Sequence, residues 1–290
     1  MPVEVGVIGL GLVGSALVER LLAAGMPVYG YDVDQDKRQA IEAFAAQPTG
    51  SAAEIATHCR RFVLSLPTTA VVESVLEEME GQLRPGDLVV DTTTGAPERT
   101  ARVAARLAKR EVAYVDATIL GSSAQVRAGE VVVMAGGEAA AFEQAQPILA
   151  SFAGRVFHVG PAGGGARMKL VVNLVLGLNR AVLAEGLAFA RQLGIDGRQA
   201  LEVLKAGAAY SRAMDTKGAK MLDREFTPEA RLSQHLKDVR LILAEAVEAG
   251  ARVPLSAVHR VLLEEAEAAG YGERDNSAVI CAYEPEEPLK

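Results

Sequence analysis

The chain has 290 residues, half of them apolar and 23% charged, with a formal net charge of −7. That length favours two domains over one, and the apolar share is enough to give each a core. The acidic balance gives no electrostatic case for nucleic acid or an anionic membrane surface as a partner.

The first thirty-odd residues read MPVEVGVIGLGLVGSALVERLLAAGMPVYGYDVDQDK. Val3 to Ile8 has the composition of a short buried strand. Leu12 to Ala24 has the apolar spacing of a helix, and Val28 to Tyr31 is a second strand ending at Asp32. No basic segment precedes the apolar residues and glycines interrupt them, which argues against a signal peptide or a membrane span there. Between strand and helix lies G-x-G-x-x-G, with Gly9, Gly11 and Gly14 separated by Leu10, Leu12 and Val13. In that context Gly9 permits a tight turn, Gly11 lets the backbone approach a pyrophosphate, and Gly14 lets the helix pack closely on the strand. The helix N-terminus offers N–H groups to the phosphates. Asp32, eighteen residues beyond Gly14, is placed to accept from the ribose hydroxyls. A carboxylate there favours NAD over NADP, whose extra phosphate it repels.

The alternation continues. Strands are expected at Arg61 to Leu66, Asp87 to Asp91 and Val112 to Asp116, in the apolar run VVVMAGG, and in RVFHVG. Helices are expected at Thr69 to Met79, Pro97 to Lys109 and Glu138 to Phe152, and TILGSSAQVRAGE reads as irregular. This order predicts an α/β fold whose N-terminal part, residues 1–162, is a doubly wound, Rossmann-type parallel sheet. After the glycine-rich GPAGGGARMKL the pattern is helical, giving an all-helical domain over residues 163–290. Helices are expected at Arg167 to Leu193, Gly197 to Gly207, Pro228 to Ala249 and Pro254 to Ala269, with a frayed tail, AYEPEEPLK. Cys59 and Cys281 lack C-x-x-C spacing, so neither a metal site nor a disulfide framework is implied, and a reducing cytoplasm is the expected setting.

Within MKLVVNLVLGL the only polar side chains are Lys169 and Asn173, four apart and so on one helix face. The apolar neighbours predict a buried helix. Burial disfavours an ammonium and lowers a lysine pKa, the direction needed for acid–base work near neutrality. The asparagine amide can hold a substrate oxygen beside it.

These features resemble the β-hydroxyacid dehydrogenase family, which includes 3-hydroxyisobutyrate dehydrogenases and tartronate semialdehyde reductases. The resemblance rests on GVIGLGLVG, DTTTGAP, DATILGSSAQVRAGE, G-x-G-x-x-x-K ending at Lys169 with Asn173 beyond, and LKD near residue 237. It implies a 6-phosphogluconate dehydrogenase-like helical domain and Lys169 as the catalytic acid–base. Asn173 and the segment from Leu120 through Gly121, Ser122 and Ser123 would hold the substrate. Leu66, Pro67, Thr94 and Lys237 would contact NAD alongside the glycine loop. A small carboxylate substrate bound between the domains and a homodimer or homotetramer are expected.

One departure touches specificity. The family usually reads D-A-P-V-S-G-G, and this chain reads Asp116-Ala117-Thr118-Ile119-Leu120-Gly121-Ser122, with leucine where the family has a substrate-contacting serine. Ser122, Ser123 and Gln125 add polar groups downstream, as if for a more polar substrate. Two other readings are a superfamily reductase of semialdehydes or imines and a non-catalytic NAD-binding protein. Lys169 argues against the imine-reducing members, which commonly lack it, and a sensor has no use for Lys169 and Asn173 in an apolar helix.

Overall fold

The computed structural model describes residues 3–284; residues 285–290 of the expected frayed tail lie outside them. By compactness the chain divides at Lys169/Leu170 into two units.

In the first unit the elements follow one another as β1 (Val5–Ile8), α1 (Leu12–Ala23), β2 (Val28–Tyr31), α2 (Gln35–Ala40), β3 (Gln47–Pro48), α3 (Ala52–His58), β4 (Arg61–Leu64), α4 (Thr69–Met79), β5 (Leu88–Asp91), α5 (Pro97–Ala108), β6 (Ala113–Leu120), α6 (Ser123–Ala128), β7 (Val131–Gly136), α7 (Ala139–Phe152) and β8 (Ala153–His158). They build one eight-stranded sheet in the order β3-β2-β1-β4-β5-β6-β7-β8. Every pairing is parallel except β6 with β7. Apolar side chains fill both faces. Leu17, Leu21, Leu149 and Phe152 from α1 and α7 cover one, and Ile55, Val72, Leu76 and Val103 from α3, α4 and α5 cover the other. The sheet is doubly wound, and its strand order reverses between β1 and β4, where such folds bind ligands.

The sequence pattern places most of these elements within a residue or two. β6 differs: it runs four residues beyond the expected end at Asp116, because Thr118, Ile119 and Leu120 pair with Met134, Val133 and Val132 of β7. The stretch that reads as irregular therefore opens with the last three residues of β6, Thr118 to Leu120, and contains the short helix α6.

The long helix α8 (Gly164–Gln192) begins in the first unit and continues into the second. It is followed by α9 (Gly197–Ala206), α10 (Arg212–Asp223), α11 (Leu232–Glu248) and α12 (Pro254–Ala266). The second unit packs Leu183, Leu187, Met221, Leu236, Val239, Leu263 and Val279 into its own core. α10 is absent from the sequence expectation, and α11 starts at Leu232 instead of Pro228, since Arg231 bridges to Asp275. That connection has a buried ionic centre. Lys217 donates to both oxygens of Asp275 at 3.0 Å and to Glu229 at 3.0 Å, and Asp275 also accepts from Ser277, Glu229 and Ala230.

The expectation of a helix buried all round does not hold for α8. Val171, Val175, Val182 and Phe189 are exposed on one stripe, while Asn173, Gly177, Ala181 and Ala184 are buried on another. By length and composition α8 could cross a membrane.

Candidate active site

The glycine loop follows β1, at the sheet's switch point. Gly9 has a φ of +93°, and a β-carbon there would overlap the Ser65 carbonyl oxygen; one on Gly14 would overlap the carbonyl oxygen of Gly9. These two glycines fix the turn and the close seating of α1. A β-carbon on Gly11 would meet nothing within 4 Å, so that position is kept open for something outside the chain. α1 starts at this point with no side-chain cap and no acidic residue in its first turn. Its orphan N–H groups are left for an anion.

Asp32 stands at the end of β2. Its Oδ2 accepts from the Leu10 N–H at 2.8 Å and its Oδ1 from the Asp34 N–H at 3.0 Å. The carboxylate thus clamps the glycine loop. Lys37 lies 3.6 Å from it, and the Arg38 guanidinium donates to the Asp32 carbonyl at 2.6 Å. Leu10 is buried, Leu12 is exposed and Val13 is half-buried. On the adjoining strand ends, the Leu66 N–H donates to Thr93 Oγ1 at 3.2 Å. Pro67 is exposed and Thr94 half-buried. Asp91 anchors that turn by accepting from the Thr93 N–H and from the Tyr114 hydroxyl at 2.6 Å. Open Gly11, the uncapped helix start and Asp32 together fit an adenosine diphosphate moiety.

β6 aligns the start of α8. Asp116 accepts from the Gly163 N–H through one oxygen and from the Ala166 N–H through the other, both at 2.8 Å. Burial pushes its carboxyl up to about 7, against the pull of those two donors. Thr118 donates to the Gly165 carbonyl at 2.9 Å. One turn on, Lys169 Nζ donates to the Ile119 carbonyl at 2.6 Å. Lys169 is half-buried, not enclosed. The side chains of Ser122 and Gln125 are engaged with each other in a capping box at the start of α6. Two of the three polar side chains expected to face a substrate are thus largely spent on local structure, leaving Gly121 exposed and Leu120 and Ser123 half-buried.

In the second unit Asn173 is buried, and its Nδ2 donates to Asp238 Oδ2 at 3.0 Å. A carboxylate can only accept, so this contact fixes which way the amide points and leaves its second N–H on another side. Lys237 lies 3.8 Å from Asp238. Sequence reading singled out Lys237 but not Asp238; the adjacent acid in LKD was the available signal. It also missed the Ile119 carbonyl, because a backbone acceptor leaves no trace in residue types. Among the described residues there is no cluster of three metal-ligating side chains.

Comparison with known proteins gives the class. Residues 4–160 match the family described as the NAD binding domain of 6-phosphogluconate dehydrogenase. Residues 163–283 match the one described as NAD-binding of NADP-dependent 3-hydroxyisobutyrate dehydrogenase. The chain belongs to the β-hydroxyacid dehydrogenase family and is a nicotinamide-dinucleotide-dependent oxidoreductase. It is 31% identical to 2-(hydroxymethyl)glutarate dehydrogenase of Eubacterium barkeri, over 97% of this chain and 95% of that one. It is 30% identical to an L-threonate dehydrogenase of Cupriavidus necator, over 96% and 95%. The structure of a 3-hydroxyisobutyrate dehydrogenase from Salmonella typhimurium superposes with a TM-score of 0.86 at 28% identity, covering 96% of this chain and 99% of that one.

Proposed function

We propose that this enzyme moves hydride between NAD and a small β-hydroxy acid or its semialdehyde, with Lys169 carrying the proton. The observation that carries this reading is the Lys169 Nζ held at 2.6 Å by the Ile119 carbonyl, one helical turn before Asn173. Bound nicotinamide supplies the hydride chemistry. The chain supplies the rest. The Ile119 carbonyl accepts from Lys169 whether the amine is neutral or charged, so one N–H stays pinned and the nitrogen's remaining valence is aimed. In oxidation the neutral amine takes the hydroxyl proton, and in reduction the ammonium returns it to the developing alkoxide. Asn173, oriented by Asp238, offers its second N–H to the same substrate oxygen. The loop at residues 120–124 is where the substrate carboxylate would lie. The names of the relatives fit this class: 2-(hydroxymethyl)glutarate, L-threonate and 2-hydroxy-3-oxopropionate are carboxylates bearing a hydroxyl or carbonyl.

Asp32 supports NAD as the cofactor, because a 2′-phosphate of roughly −1.5 to −2 charges would meet its carboxylate. The apolar stripe of α8 supports a homo-oligomer in which a second copy covers Val171, Val175, Val182 and Phe189.

Lys169→Ala tests the reading. NAD affinity should stay nearly unchanged while turnover falls by about 10² to 10⁴, the usual worth of a positioned acid–base group. Lys169→Arg should fail as well, since a guanidinium does not give up its proton. Turnover within a few-fold of the parent in either variant would assign the proton to another group.

A further inference from the structure

Strand β6 offers three polar groups to the start of α8, each at a different point along the helix. The Asp116 carboxylate accepts from the Gly163 and Ala166 N–H groups, both at 2.8 Å. The Thr118 hydroxyl donates to the Gly165 carbonyl at 2.9 Å. The Ile119 carbonyl accepts from Lys169 Nζ at 2.6 Å. Residues two apart on a strand face the same side, so Asp116 and Thr118 both point at α8. The Gly165 carbonyl is also the one that an α-helix pairs with the N–H of residue 169, four residues on. The strand therefore holds the helix at its first turn, at the backbone acceptor of Lys169 and at the lysine nitrogen itself. All of these residues belong to the first unit.

The contact is close enough to exclude side chains. A β-carbon on Gly165 would lie 2.5 Å from the Met134 carbonyl oxygen, 2.6 Å from that of Asp116 and 2.8 Å from Asp116 Oδ2. One on Gly136, the partner of Asp116 on β7, would lie 2.6 Å from Asp116 Oδ1 and 2.8 Å from the Gly164 nitrogen. The helix start thus rests backbone against backbone on β6 and β7. Asp116 is 1% exposed and Thr118 0%, and β6 is paired on both edges, so the strand side of the clamp is fixed. Capping a helix needs one accepting oxygen, which serine, threonine or asparagine supplies without burying a charge. A carboxylate supplies two, to N–H groups three residues apart, and so sets the rotation of the first turn as well as its position. Burial works against its ionised form, pushing the carboxyl up to about 7. A neutral cap would hold the helix end without that opposition.

We propose that Asp116 is a positioning residue for the proton transfer: by seating the first turn of α8 on β6 it sets where Lys169 Nζ meets the Ile119 carbonyl. This rests on the assignment of Lys169 made above. Lys169 lies about one turn beyond Ala166, so a tilt or slip of that turn carries the nitrogen with it. A misplacement of about 1 Å at a reacting group can lower a rate on the order of 10²-fold. Asparagine at position 116 keeps the shape but leaves one accepting oxygen, and its amide N–H then faces a backbone N–H, donor against donor. One of the two ties is broken. Thr118→Val removes the neighbouring tie, to the Gly165 carbonyl, with little change of volume and no change of charge.

The test compares the parent, Asp116→Asn, Thr118→Val, Lys169→Ala and the double variant of Asp116→Asn with Lys169→Ala. Melting temperature and NAD affinity by calorimetry are the controls, and turnover is measured with 3-hydroxyisobutyrate, L-threonate and 2-(hydroxymethyl)glutarate. Asp116→Asn should lower kcat by about 10- to 100-fold, with NAD affinity within a few-fold of the parent. The double variant should be no slower than Lys169→Ala alone, because a group that acts through the lysine has nothing to position once the lysine is gone. Losses that multiply in the double variant, or an unchanged kcat in Asp116→Asn, would make Asp116 a structural cap and overturn the inference. A second readout needs no turnover. Trace acetylation read by mass spectrometry should label Lys169 at least several-fold faster in Asp116→Asn and in Thr118→Val than in the parent, with Lys217 of the second unit unchanged. Equal labelling of Lys169 overturns the inference, and Thr118→Val decides it where Asp116→Asn does not fold. If Lys169→Ala keeps the parent's turnover while the labelling shifts as expected, the seating of the lysine stands and only its acid–base role falls.

Discussion

Single residues in the glycine loop separate two properties that a motif merges. A methyl group on Gly14 collides with the Gly9 carbonyl oxygen, whereas one on Gly11 meets no protein atom. Gly14→Ala should lower the melting temperature by several degrees, as expected for a loss of about 1–3 kcal/mol from overpacking. Gly11→Ala should leave the melting temperature in place and weaken NAD binding. Thermal melts with and without NAD distinguish the two, and a Gly11→Ala variant that binds NAD normally would show that the open space is not the cofactor's. Asp32 combines two tasks as well. Asp32→Asn should narrow the preference for NAD over NADP by removing the charge, while its remaining carbonyl oxygen keeps one acceptor for Leu10 or Asp34. Equal kcat/KM with both cofactors in the parent would end the assignment of NAD.

At the scale of elements, the longer strands and helices of the first unit were legible because each carries its own signal, β-branched runs bounded by glycine and proline or apolar positions at helical spacing, whereas the short α2, β3, α3 and α6 were not. The candidate site residues stood out in the sequence where they interrupt such a pattern, as Lys169 and Asn173 interrupt an apolar helix. What was not legible depends on partners distant in sequence. β6 is long because β7 pairs with it, and α10 is held by Lys217 reaching Asp275, fifty-eight residues away. The exposed stripe of α8 misled the reading of burial, since valines facing outwards look in sequence like valines facing a core. Val175→Glu together with Val182→Glu should convert an oligomer to monomers in analytical ultracentrifugation; an unchanged sedimentation coefficient would place the contact elsewhere. Leu120 ends β6 half-buried. If its lost hydroxyl matters, Leu120→Ser should raise kcat/KM for 3-hydroxyisobutyrate, since a hydrogen bond to a charged group contributes about 1.5–3 kcal/mol. No change would make Leu120 a packing residue.

For the whole molecule, pH acts through buried groups in both units. His259 is held down to about 4 by burial and by Arg180, against an ordinary value near 6.5. The unfolded chain therefore binds more protons than the folded one between those values. Stability from this group is complete above about 6.5 and is lost as the pH falls towards 4, in total on the order of 3 kcal/mol. Asp116, raised to about 7, acts in the opposite sense, its contribution being lost as the pH rises from the ordinary carboxyl value. Urea unfolding at pH 7 and pH 4 should thus show a smaller acid loss in His259→Asn than in the parent; identical losses would remove His259 from the account. The two cysteines offer a way to follow each unit separately. Cys59 lies in the first unit with 1% of its surface exposed and Cys281 in the second with 5%, and burial pushes the Cys59 thiol up to about 12. A thiol reagent can reach either sulfur only when the surrounding unit opens, so the rate of alkylation at each position, read by mass spectrometry, becomes a clock for the opening of that unit. The molecule carries one such native reporter on either side of residue 169.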